Sequence, residues 1–233
     1  MKSLKFVIPL LLLSLSLFAQ TQPNAGTPKL IFYGGDVNPS DPNVECFDNG
    51  NSLFAPLETV WGEVRVPAPH QVEITGVLFN VTADVSAGTI FDPMTATYQV
   101  RAGLRKDVGG QVVAQGSVPL TVTATGRTPC GFTEYKAVAM FLTAVPMSNR
   151  QPLWFNLSPQ CTDTGNSNCS AVQFYVENTT QETNGINKGL QPAGQIFYND
   201  PNTNWSDFCD PAVFNFNAQQ CARLSFGLYG FPQ

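Results

Sequence analysis

The chain holds one histidine, His70, and that scarcity removes much of hydrolytic enzymology. Nucleophilic Ser or Cys catalysis normally draws its base from a histidine. His70 stands between Pro69 and Gln71, reads as an exposed turn residue, and no Gly-x-Ser-x-Gly elbow accompanies any serine. With one histidine and no Cys-x-x-Cys pair, a zinc site has no ligand set. Charge is sparse as well, at 12% of residues. No basic cluster offsets the acidic balance, so a phosphate backbone is repelled and nucleic acid is excluded as a partner. Paired carboxylates of the glycoside-hydrolase kind are also missing: Glu63, Glu73, Glu134 and Glu177 fall singly on different predicted strands and read as solvated side chains.

Long apolar runs are confined to the first residues. Lys2 and Lys5 precede an apolar stretch over 6–18 that ends at Ala19, the pattern of a secretory signal peptide cleaved after residue 19. The run is short for a bilayer, and no second one follows, so no transmembrane segment is expected and the mature chain is secreted. Two of the twelve Lys and Arg belong to that leader; the other ten face seventeen carboxylates, a net charge of −7. Residues 20–28 read as a flexible leader and 29–233 as a single domain.

What the sequence does contain points to an all-β fold. Asn, Thr, Gly and Pro are plentiful, which suits short strands joined by polar turns. Residues 59–66 alternate, with Val60, Gly62 and Val64 on one face and Glu63 and Arg65 on the other. Residues 97–106 place Tyr98, Val100, Ala102 and Leu104 inward and Gln99, Arg101 and Arg105 outward. Apolar residues on both faces of 72–82 mark a central strand. Residues 111–115 and 118–125 read as two separate strands, 132–143 as a long apolar one, and 222–229 as a closing strand with Leu224, Phe226 and Leu228 on one face. About ten strands at these intervals predict a jelly-roll-like sandwich of two antiparallel sheets.

All six cysteines, Cys46, Cys130, Cys161, Cys169, Cys209 and Cys221, lie beyond the leader. An even count in an exported chain reads as three disulfides. Proximity favours Cys161 with Cys169 and Cys209 with Cys221, leaving Cys46 for Cys130, among fifteen pairings that six cysteines allow. The first pair would close the strands at 152–159 and 170–176 over a polar turn.

Several phrases carry a resemblance. Leu30-Ile-Phe-Tyr-Gly-Gly-Asp36, the stretch from Ala124 to Tyr135, Trp154-Phe-Asn-Leu-Ser-Pro-Gln-Cys-Thr162 and the stretch from Gln220 to Gly230 resemble uncharacterised secreted bacterial proteins of the choice-of-anchor or PEP-CTERM-associated type. The resemblance implies a β-sandwich of the cell envelope or extracellular matrix and carries no activity. Members with a sorting signal end in Val-Pro-Glu-Pro, an apolar helix and basic residues, whereas this sequence ends Gly230-Phe-Pro-Gln233, so simple secretion is expected.

Two ligand chemistries fit the loops. Oxygen-rich stretches at 36–51, 163–168 and 199–210 could hold calcium, with Asp36, Asp41 and Asp48 as first ligands, although Asp and Asn also close turns on their own backbone. Trp205 stands in a polar setting where a large ring is hard to bury, and with Tyr198 and Tyr229 it forms a candidate platform for a sugar. Trp61 and Trp154 fall inside strands and read as core. The sequons at Asn80, Asn156, Asn168, Asn178 and Asn204 read as by-products of composition. The expected function is a non-catalytic extracellular module that binds glycans. The alternatives are a subunit of a surface layer or fibre, which binds other copies of itself by donating 30–33 as a strand, and a polysaccharide hydrolase or lyase without a recognisable motif.

Overall fold

The computed structural model describes residues 26–36, 46–48, 59–65, 71–84, 94–103, 111–148, 152–161, 173–179, 186–187, 191–200, 204–207 and 223–232. They are strands and short connections, with one 3-10 turn at Pro129–Gly131 and no α-helix among them. In chain order the strands are β1 (Lys29–Tyr33), β2 (Cys46–Asp48), β3 (Thr59–Arg65), β4 (Gln71–Asp84), β5 (Met94–Ala102), β6 (Gln111–Ala124), β7 (Thr133–Ser148), β8 (Leu153–Cys161), β9 (Gln173–Thr179), β10 (Ile186–Asn187), β11 (Gln191–Asp200), β12 (Asn204–Asp207), β13 (Arg223–Leu224) and β14 (Phe226–Pro232). No described helix is long and apolar enough to cross a membrane.

The strands join in one curled antiparallel sheet, ordered β10-β1-β14-β4-β7-β6-β5-β8-β3-β11-β12, with β9 joining β4 to β2 and β13. β6 makes the curl. Its residues up to Pro119 pair with β5, and from Leu120 onward they pair with β7. The sequence suggests two strands here because Gly116 and Pro119 interrupt the pattern; the chain instead runs through both as one 14-residue strand. Pro119, which has no N–H, stands at the change of partner, where an interrupted ladder costs least.

Apolar faces from both halves of the curl meet in one cluster. β1, β14, β4 and β7 supply Phe32, Phe226, Leu228, Ile74, Val77, Phe79 and Met147, while β3, β5 and β8 supply Val64, Tyr98, Val100, Phe155 and Leu157. The halves touch directly: a Cβ on Gly62 would lie 2.8 Å from the Phe226 ring, and the Tyr98 and Phe141 rings stack at 4.2 Å. Glycine at position 62 lets that ring approach the β3 backbone.

Other expectations are revised by pairing. β8 and β9 both form, but β8 pairs with β5 and β3, and β9 with β4, β2 and β13, so they are not partners. β1 is hydrogen-bonded on both sides, to β10 and β14, and buries Ile31, Phe32 and Tyr33. A strand so placed is part of the core and is not free for donation to a second copy. Polar segments read as loops contain β2 and β12, because ladder pairing with β9 and β11 outweighs their weak strand propensity.

Candidate functional site

Each half of the sheet also has a face turned away from the apolar cluster, and polar groups collect on both. On the β4 and β7 half, cross-strand register aligns Asn80 with Lys136 and Thr82 with Glu134. The link from β6 folds back through Arg127, whose carbonyl accepts from the Glu134 N–H at 2.9 Å. Its guanidinium thereby reaches both carboxylate oxygens of Glu134, with Nε to Oε2 at 2.6 Å, and reaches Asp36 Oδ1 at 3.0 Å. Lys136 Nζ lies 3.6 Å from the same Asp36 oxygen and 5.2 Å from the Tyr33 ring centroid.

A directed chain of hydrogen bonds leaves this centre. Asn80 Nδ2 donates to the Tyr33 hydroxyl at 2.6 Å, and that hydroxyl donates to Asp36 Oδ1 at 2.5 Å. Asn80 Nδ2 also donates to Ser225 Oγ at 2.7 Å, and Ser225 Oγ donates to the Gly35 carbonyl at 2.6 Å. Burial, and next the hydrogen bond to Asp36, push the Tyr33 phenol well above its ordinary value. Hydrogen bonding to Glu134 is the main cause that holds Arg127 above its already high one. Two cations meet two carboxylates, and Asn80, Glu134 and Ser225 are fully buried. This cluster is closed. It ties β1, β4, β7 and the Ser225 break between β13 and β14 together.

The corresponding face of β5, β8 and β3 is different. Register aligns Arg101 with Trp154 and Trp154 with Glu63. One pleat along, Gln115, Gln99 and Asn156 form a second row, and Ser117, Thr97 and Ser158 a third. β11 and β12 extend these rows: Trp61 faces position 197, position 197 faces 207, Thr59 faces 199, and position 199 faces 205. Directly opposed residues share a face. Position 205 therefore belongs to the same face as Trp61, Asn156 and Gln99.

Contacts on this face join amides, hydroxyls and indoles with two arginines. Arg101 Nε donates to Gln99 Oε1 at 2.6 Å, and Gln99 Nε2 donates to Gln115 Oε1 at 3.2 Å. Ser158 Oγ donates to Asn156 Oδ1 at 3.1 Å. The Arg101 guanidinium lies over Trp61, 5.2 Å from the ring centroid, and Trp154 Nε1 donates to the Gly103 carbonyl at 3.3 Å. Arg65, 57% exposed, pairs with Glu63 at 2.9 Å. Glu63 is the one carboxylate among the described side chains of this face, and it is 2% exposed. The facing pair that glycoside hydrolysis needs is thus not found among them.

Several expected residues change character in the fold. Trp61 and Trp154 are buried as anticipated, but they sit opposite the apolar cluster and do not belong to it. Glu63 and Glu134 are buried ion-pair partners and not solvated side chains. Position 198 in β11 faces Val60 and position 206, which puts it on the opposite face from 205. Tyr229, half-buried, faces Leu30 and Gly76 in the other half of the sheet. The register thus puts position 205 on the same face as Trp61 and Trp154 and on a different one from 198 and 229. The sequence singles out none of Arg101, Gln99 and Gln115 for binding; alternation marks Arg101 and Gln99 as outward, but the grouping of all three needs the register.

Asp36 is committed to Arg127, Lys136 and Tyr33, a setting of donors that does not suit a cation ligand. Asp41 lies outside the described residues, Asp48 is placed at backbone level in β2, and no metal-ligating group is found among the described residues. Cys130 stands at φ 53 within the 3-10 turn. Cys46 and Cys161 lie in β2 and β8, while Cys169, Cys209, Cys221 and His70 fall outside the described residues. Asn80 and Asn156 are buried, so their sequons are inaccessible in the fold, as the by-product reading requires. No family model matches the sequence, and no curated protein does.

Proposed function

We propose that the protein is an exported, non-catalytic binding module for carbohydrate. Its site is the off-core face of β5, β8 and β3, extended by β11 and β12. The observation that carries this reading is the register, which gathers Trp61, Trp154 and position 205 with Gln99, Gln115 and Asn156 on one face. Sugars are read by ring faces against C–H surfaces and by amides and guanidinium groups against hydroxyls. In this arrangement the covered indoles form a floor, and Gln99, Arg101, Gln115 and Thr97 are the side chains a sugar would meet.

The finer architecture belongs to the same proposal. A two-sheet jelly-roll sandwich is supported by the single apolar cluster between the halves. The cysteine pairs are Cys161–Cys169, Cys209–Cys221 and Cys46–Cys130, which peptide mapping under non-reducing conditions would test. Export follows from the leader at 1–19 and agrees with the resemblance to envelope proteins.

The functional test is retention of the oxidised mature protein on soluble and insoluble polysaccharides, with calcium and with chelator. Retention on a glycan, weakened at least tenfold by Gln99→Ala and insensitive to chelator, is expected. A folded protein retained on no polysaccharide would overturn the reading and bring assembly of copies forward. Release of oligosaccharide products would replace it with a hydrolase or lyase.

A further inference from the structure

The curl of the sheet leaves a second feature that the carbohydrate face does not use. After Leu120 pairs with Ala139, β6 and β7 diverge, because the earlier part of β6 pairs with β5. β7 adds its own irregularity. Its register against β4 jumps from Met140 opposite Gly76 to Val145 opposite Ile74, so residues 141–144 bulge out against Thr75 alone. Bulges of this kind re-aim side chains and recur beside binding sites.

Between the diverging strands lies a cavity of about 500 Å³. Close-packed interiors hold few voids larger than a water molecule, whereas ligand sites span about 300–1,000 Å³. Val145, Met147 and Leu153 line its inner end and Tyr98 one wall. The Tyr98 ring is fixed by Phe141 stacked 20° from parallel, and by Gly116, where a Cβ would lie 2.9 Å from the ring. Val113 and Leu142, 43% and 75% exposed, stand at the mouth, and none of the described residues that line it is charged.

From this geometry we infer that the fork between β6 and β7 is a binding site for a small, neutral, largely apolar molecule. An apolar lining rejects a charged ligand through its desolvation cost. The Tyr98 ring and the Thr143 position in the lining suit an aromatic or alicyclic body with one neutral polar group.

The test is fluorescence titration of the oxidised mature protein with neutral N-phenyl-1-naphthylamine. Saturable binding at one site is expected. Ala144→Trp, which fills the cavity, should weaken it at least tenfold. Leu142→Asp should weaken it several-fold by placing charge at the mouth, and its exposure keeps the fold intact if the Trp variant does not fold. Arg101→Ala should leave probe binding unchanged, and Leu142→Asp should leave polysaccharide retention unchanged, so the two sites fail separately. Absence of saturable binding by the folded protein would overturn the inference. So would binding unaltered in the folded variants, loss in Arg101→Ala, or a sedimentation dimer that Leu142→Asp dissociates.

Discussion

On the off-core face of β4 and β7, Arg127 is gripped by Glu134 and Asp36; on the off-core face of β5 and β8, Arg101 donates to the amide of Gln99 and lies over Trp61. Both arginines are partly covered, and the bonds beside them differ in kind between the two faces. Charge-assisted bonds to buried carboxylates are strong, and breaking them strands a charge away from water. The amide–amide bond from Gln99 to Gln115 adds about 1 kcal/mol net and can be exchanged for a sugar hydroxyl at little cost. The ion-pair cluster therefore holds the fold, whereas the amide row of Gln99 and Gln115 can exchange partners.

The largest expected effect tests the closed side. Arg127→Ala leaves the fully buried Glu134 without its cation and should lower stability by about 3–5 kcal/mol, read from the urea midpoint. A loss below about 1 kcal/mol would remove the distinction between the two faces. Asn80→Ala, which deletes donors to Tyr33 and Ser225, should cost about 2 kcal/mol in the same assay.

A pH profile sharpens the contrast further. The raised Tyr33 phenol stays protonated in the fold. Its contribution is complete below the unfolded value of about 10 and is lost as pH climbs through the higher folded value. Stability should therefore fall from about pH 10 upward, and Tyr33→Phe should flatten that part of the profile. An unchanged slope in the variant would show that the phenol is not linked to folding. The smallest stability effect belongs to the amide row: Gln115→Ala should shift the midpoint by no more than about 0.5 kcal/mol.

Much of this fold is legible in residue order. Alternation alone places Tyr98, Val100 and Ala102 against the core and Gln99 and Arg101 away from it, and the same holds for Leu224, Phe226 and Leu228. The closed cluster leaves a fainter trace, since Arg127 and Glu134 lie seven residues apart across one turn, but Asp36 arrives from 91 positions away. The binding face is harder to read. A one-residue slip in register exchanges the two faces of a strand, so the grouping of position 205 with Trp61, and its separation from 198, is set by ladder pairing. Polar β12 gives no apolar alternation from which that pairing could be inferred.

The most direct test compares polysaccharide retention of the mature protein with that of Arg101→Ala and Trp205→Ala, each checked by its unfolding midpoint. The account predicts at least a tenfold loss of retention in both while each variant remains folded. Retention undiminished in both folded variants would contradict it and place the binding surface elsewhere on the molecule.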